Sequence, residues 1–140
     1  MVALARAAVH VREGRPATAV TLLEAAAATQ DSFQYMEPEH FYTPIRHCLG
    51  AALLATSAAA GAASGGGSSD SSQQKELLLQ AERVFKRDLL EHPRNVWALT
   101  GLKSTYMRLL ELLRGQNGYD EAEERRLLAL RRGASDGLLG

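Results

Sequence analysis

The chain has 140 residues and a mass of 15.1 kDa, which leaves room for one domain with a modest core and not for two. Sixteen basic residues balance sixteen acidic ones and the pI is near 6.9, so a general electrostatic grip on nucleic acid or on an anionic membrane is not expected. A single cysteine, Cys48, excludes an internal disulfide framework and a multi-cysteine zinc site, and suits a reducing compartment. Leucine and alanine dominate while aromatic residues make up only 6%, a balance that favours helices over strands. No apolar run approaches the roughly 20 residues of a membrane span. Met1 to Val11 is alanine-rich with one arginine and too interrupted for a secretory leader. These features lead us to expect a soluble, intracellular, cytoplasmic protein.

Val2 to Val11 reads as a first short helix ending at Gly14. Pro16 suits the first position of a second helix, because its missing N–H would be unpaired there anyway. Val20, Leu23 and Ala27 give that helix, Pro16 to Ala28, an apolar stripe. The polar and aromatic run from Thr29 to Glu39 reads as a connection. Thr43 and Pro44 then open a third helix as cap and first residue. Ile45, Cys48, Leu49, Ala52 and Leu53 recur at the spacing of one helical face. From Gly61 to Gln74 the composition turns to glycine and serine, and the segment reads as a flexible insert, since so little apolar surface cannot offset ordering entropy. It lacks the G-x-x-x-x-G-K-[ST] arrangement that cradles phosphate.

Lys75 to Glu91 reads as a fourth helix, with Leu78, Ala81, Val84, Phe85 and Leu89 on its apolar side. Pro93 ends it, because the residue before a proline is driven out of the α region. Asn95 is placed to cap a fifth helix, Arg94 to Arg114, whose apolar face carries Trp97, Leu99, Leu102, Tyr106, Leu109, Leu110 and Leu113. Two amphipathic helices joined this tightly must pack antiparallel. The run Gly115-Gln116-Asn117-Gly118 breaks the pattern, Asp120 to Arg132 forms a sixth helix, and Gly133 to Gly140 reads as a flexible tail.

The helix pairs resemble tetratricopeptide (TPR) repeats, helix–turn–helix units of about 34 residues. Leu49 and Gly50 match the Leu-Gly of the family's first helix, and Leu53 its next large apolar position. Ala81, Phe85 and Pro93 match the alanine, the aromatic and the closing proline of its second helix. Trp97 and Gly101 match the opening tryptophan and the small residue of a further repeat, and Ala122 and Ala129 its later alanines. Gly14, Ala19, Leu23 and Ala26 fit the turn and second helix of the first pair. The pattern is broken in places. Gly50 and Ala81 lie 31 residues apart where the family allows about 12. Asp88 stands for the usual second alanine, and Arg126 where an aromatic is common. YMEPEHFYTPIRHCLGAALL and AERVFKRDLLEHPRNVWALTGL are similar to the final repeats of larger tetratricopeptide proteins. The resemblance implies an all-α solenoid of about three antiparallel pairs over residues 1–132. Repeats would cover about 2–31, 42–93 with the insert at 61–74, and 94–132, followed by the tail 133–140.

Little in the chain suggests chemistry. His47 and Cys48 are adjacent and so lie about 100° apart on a helix, where they cannot converge on one ion or act as base and nucleophile. Acidic pairs around Asp120 to Glu124 suit a helix N-terminus, with Arg125, Arg126, Arg131 and Arg132 as their solvated counterparts. Tyr35, Phe41 and Tyr42 read as a wedge between repeats. No enzyme, cofactor or metal is therefore expected.

By resemblance, the first helix of each pair lines a concave groove for a protein or peptide partner. Carried over by position, that groove presents Leu4, Ala8 and Val11, then His47, Ala51 and Leu54, then Asn95, Ala98, Leu102 and Thr105. The places at which some members hold a terminal carboxylate are Ala, Leu and His here, so no such clamp is expected. Leu102→Glu should then abolish binding while leaving the helices intact. Alternatively, the chain is the capping end of a longer solenoid whose activity lies elsewhere.

Overall fold

The structure is a computed structural model that describes residues 2–33, 45–63, 68–115 and 120–139. These form six helices and, among the described residues, no strand: α1 (Val2–Arg12), α2 (Pro16–Asp31), α3 (Ile45–Ala63), α4 (Ser68–Glu91), α5 (Val96–Arg114) and α6 (Glu121–Leu139). The all-α class follows from the sequence as expected. Each helix packs on the next, α1 also touches α3, and α3 touches α5; among the described residues no other pair meets. No described helix is long and apolar enough to cross a membrane. Thr43, Pro44 and the aromatic wedge Tyr35, Phe41 and Tyr42 lie outside the described residues.

Local signals set the turns. Gly14 takes φ 73°, the left-handed region that glycine enters without a Cβ penalty. Its N–H reaches the Val11 carbonyl at 3.1 Å, and the Arg15 N–H reaches back to His10 at 2.8 Å. Together these bonds close the end of α1 as a Schellman motif. Pro16 opens α2. At the start of α5, Asn95 Oδ1 accepts from the Trp97 N–H at 3.1 Å. Asp120 does the same for α6, accepting from Ala122 at 2.9 Å and Glu123 at 3.2 Å.

Two segments differ from their sequence reading. The stretch 61–74, expected to be a flexible insert, is helical over 61–63 and 68–74; 64–67 lies outside the described residues. Packing of α3 on α4 carries both helices into it: the buried Ser57 hydroxyl donates to the Gln74 carbonyl at 3.5 Å. Gly61 lies against the Gln74 amide. Alanines from Ala58 to Ala63 also propagate α3 well. The supposed tail is equally ordered, since α6 continues to Leu139. Ala134 is buried, and a Cβ on Gly137 would stand 3.1 Å from Leu99 Cδ2. Tertiary contact with α5 outweighs the poor helix propensity of the two glycines there.

The core centres on Phe85 of α4, which is 1% exposed. A Cβ on Gly50 of α3 would come within 2.8 Å of Phe85 Cε2, and one on Gly101 of α5 within 2.6 Å of the same atom. The ring therefore lies between two bare backbones, and α3 and α5 both approach α4 closely because those residues lack side chains. Leu49, Leu53, Ala81, Leu102 and Tyr106 fill the space around it.

Candidate interaction face along α3 and α5

On α3, His47, Ala51, Leu54 and Ala58 follow one another at helical spacing along one side. Ala51 and Ala58 are exposed, while His47 and Leu54 are half-buried. On α1, Ala8 and Val11 are exposed and Leu4 is half-buried. These positions are open to solvent in whole or part, and Asn95 is half-buried at its cap.

The α5 positions require correction. Ala98, Leu102 and Thr105 are at most 5% exposed, so they belong to the core and cannot line a free surface. Leu102→Glu would bury a charge and is a test of folding, not of binding. The open side of α5 carries Trp97, Thr100 and Ser104, then Met107, Arg108 and Glu111. Trp97, expected in the core, is 72% exposed. The buried arc of α5 runs from Gly101 through Ala98 and Leu102 to Tyr106 and Leu110, and leaves Trp97 outside. Ala122 and Ala129 of α6 are likewise exposed, because Leu127 and Ala134 face α5 instead. The 3, 4, 3, 4 spacing of mostly polar residues from Trp97 to Glu111 was the available signal for the open side.

The two open sides meet at one place. Arg108 Nη1 donates to the Leu54 carbonyl at 2.5 Å, joining α5 to α3. Beyond it, Ser57, Ala58, Leu78, Arg108 and Glu111 line a shallow hollow. Thus α3 and α5 present adjoining stripes, one almost entirely alanine and leucine, the other mixed with an exposed tryptophan.

Beneath the other end sits a polar cluster that sequence reasoning noticed only as a departure. Asp88 is fully buried on α4. Its Oδ2 accepts from Asn95 Nδ2 at 2.6 Å, so the cap of α5 is itself held by α4. Asp88 Oδ1 stands 3.5 Å from His92 Nδ1. His47 belongs to the same neighbourhood, and burial lowers its pKa, with Asp88 opposing that shift and His92 adding to it. Burial, then the Asp88 carboxylate, pushes the Cys48 thiol up, which keeps it protonated. Arg46, also buried, reaches Glu91 Oε2 at 3.0 Å and Asp31 of α2, tying three helices together. Among the described residues, no three His, Cys, Asp or Glu side chains form a set able to hold a metal ion.

On the far side of α5, the Tyr106 hydroxyl donates to Glu82 Oε1 at 3.1 Å. Burial first, and then the charge of Glu82 and that bond, raise its pKa above the usual phenol range. The residue is a buried strut between α4 and α5, with its polar tip satisfied. Comparison with protein-family models, with curated proteins and with solved structures finds no match.

Proposed function

We propose that the six helices are a short tetratricopeptide-like solenoid whose α1–α3–α5 side binds a protein or peptide segment without catalysing a reaction. The observation that carries this reading is the paired seating of α3 and α5. Both present a glycine to the Phe85 ring, the two helices touch each other, and their outer sides remain open. In a stack of helix pairs, contacts are confined to near neighbours, and alternate helices share one layer. The contacts α1 to α3 and α3 to α5 fit that scheme, as do the contacts between successive helices. An open layer with an exposed tryptophan beside alanines suits a peptide better than a small substrate, because flat apolar surface is anchored by aromatic hot spots.

The test is affinity capture with the wild type, Trp97→Glu and Ala51→Arg, with circular dichroism to check the fold. All three are expected to keep the helical signal, since both residues are exposed. A partner held by the wild type and lost from both variants fits the reading. Equal retention by all three moves the site off this layer.

A second reading has its own observation. The outer side of α6 carries Glu121, Arg125, Arg132 and Asp136, all exposed, whereas α1 exposes Val2 at 66% and Val9 at 52%. A charged last helix and an apolar first one fit the closing end of a longer stack. A monomer that unfolds in one transition and captures nothing would favour it.

A further inference from the structure

The overall charge balance of the chain conceals a segregation between its helices. The layer of α1, α3 and α5 carries Arg6, Arg12, Arg46, Lys103, Arg108 and Arg114 against one acid, Glu111. By contrast, α2 carries Glu24 and Asp31 with no cation, and α4 and α6 mix both signs. Two of the cations in the layer are neutralised internally: Arg46 by Asp31 and Glu91, and Arg114 by Glu124. The other four make no ion pair with any described residue. Arg6 and Arg12 are exposed, and Lys103 and Arg108 are half-buried. Arg108 is held by the Leu54 carbonyl, which uses one of its five donors and leaves its charge uncompensated.

We infer that the partner segment is an acidic peptide, with Asp or Glu side chains spaced between apolar ones. The inference rests on the α1–α3–α5 layer being the partner face. Its cations stand on α1 and α5, separated by the uncharged stripe of Ala51, Leu54 and Ala58. Carboxylates of a peptide laid across the layer reach those cations, and its apolar side chains meet the stripe and Trp97. Electrostatic complementarity of this kind sets which partner is accepted and how fast it arrives. Nucleic acid fits less well, because phosphate binding needs a dense run of cations and the middle helix of this layer offers none outside the paired Arg46.

The test is selection of a random twelve-residue peptide display library on the full chain, followed by binding measurements on the best synthetic peptide. The expected result is enrichment of Asp and Glu beside Leu, Phe or Trp. Affinity should fall at least tenfold between 50 and 500 mM salt, and at least tenfold in Arg12→Glu/Lys103→Glu. Neither of those two residues pairs with a described acid, so circular dichroism should be unchanged, and Arg125→Glu on α6 should bind as the wild type does. Enriched peptides with no acidic excess would overturn the charge inference and leave the groove reading standing. No enrichment at all would overturn both. A twelve-residue uridine RNA bound more tightly than the selected peptide would overturn the choice of a peptide.

Discussion

Replacing Gly101 by alanine sets two opposed effects against each other. In an ordinary helix interior the change stabilises by about 0.5–1 kcal/mol, because alanine loses less backbone freedom on folding. Here the new methyl would meet Phe85, 2.6 Å from Cε2 and nearer still to Cζ. The ring has nowhere to retreat: it is buried, and its other side is pressed against Gly50, where a Cβ would stand 2.8 Å from the same carbon. Overpacking of this kind costs about 1–3 kcal/mol, so the net effect is a loss of about 1–2 kcal/mol. For a chain of this size, that lowers Tm by roughly 3–6 °C.

The internal control is Gly133, which is helical and exposed, with nothing within 4 Å of the place a methyl group would take. Gly133→Ala should therefore gain about 0.5–1 kcal/mol. Urea unfolding followed by circular dichroism gives both values, and Phe85→Leu supplies the third corner of a cycle. Trimming the ring should relieve most of the cost of Gly101→Ala, a coupling of about 1 kcal/mol. If Gly101→Ala stabilised the protein as much as Gly133→Ala, the account of α3 and α5 seated on one ring would be refuted.

Three further outcomes follow from the turns and the polar cluster. Gly14→Ala forces a side chain into a left-handed backbone at φ 73° and should cost about 1 kcal/mol, read from the urea midpoint. Asn95→Asp keeps the oxygen that caps Trp97 but sets a second carboxylate against Asp88 at the present 2.6 Å contact. It should be markedly less stable than the wild type at pH 7 and recover as the pH falls towards 4, when one carboxyl gains a proton; a pH-independent deficit would speak against the contact. His47, with its pKa lowered by burial, holds fewer protons folded than unfolded, so its contribution is complete above pH 6.5 and lost as the pH falls below that value. The wild type should accordingly lose more stability between pH 7.5 and 5.5 than His47→Asn does, and equal losses would assign the acid sensitivity to another group.

The helices themselves were legible because their signals are local. Gly14, Pro16 and Asn95 mark helix ends through backbone and capping chemistry that needs no distant partner, and they lie where the structure ends or starts a helix. What failed depended on contacts far along the chain. Glycine and serine from Gly61 to Gln74 read as unstructured because composition does not reveal that Ser57 and Gln74 will meet. Gly133 to Leu139 read as a frayed end because Leu99, the residue that Gly137 packs against, stands on the preceding helix. The site suffered a different error, one of rotation. Position alone put Ala98, Leu102 and Thr105 on the open side, and all three are buried. Adjacent helical residues are about 100° apart, so matching one tryptophan to a pattern fixes a face only if that tryptophan is itself buried. Trp97 is not, and Gly101 is the residue that orients α5, because its bare backbone stands against Phe85.

Asp88 carries the same lesson in polar form. At a place where the resemblance calls for alanine, a carboxylate enters the core only with partners, since burying an unpaired charge costs several kcal/mol. The partners are supplied seven and four residues later, by Asn95 and His92, on either side of the proline that ends α4. The substitution and the cap thus form one unit. Removing Asp88 frees the amide of Asn95 and loosens the first turn of α5, which is the turn that presents Trp97. A buried charge in α4 therefore governs the placement of the most exposed aromatic on the proposed binding layer, although it touches no solvent itself.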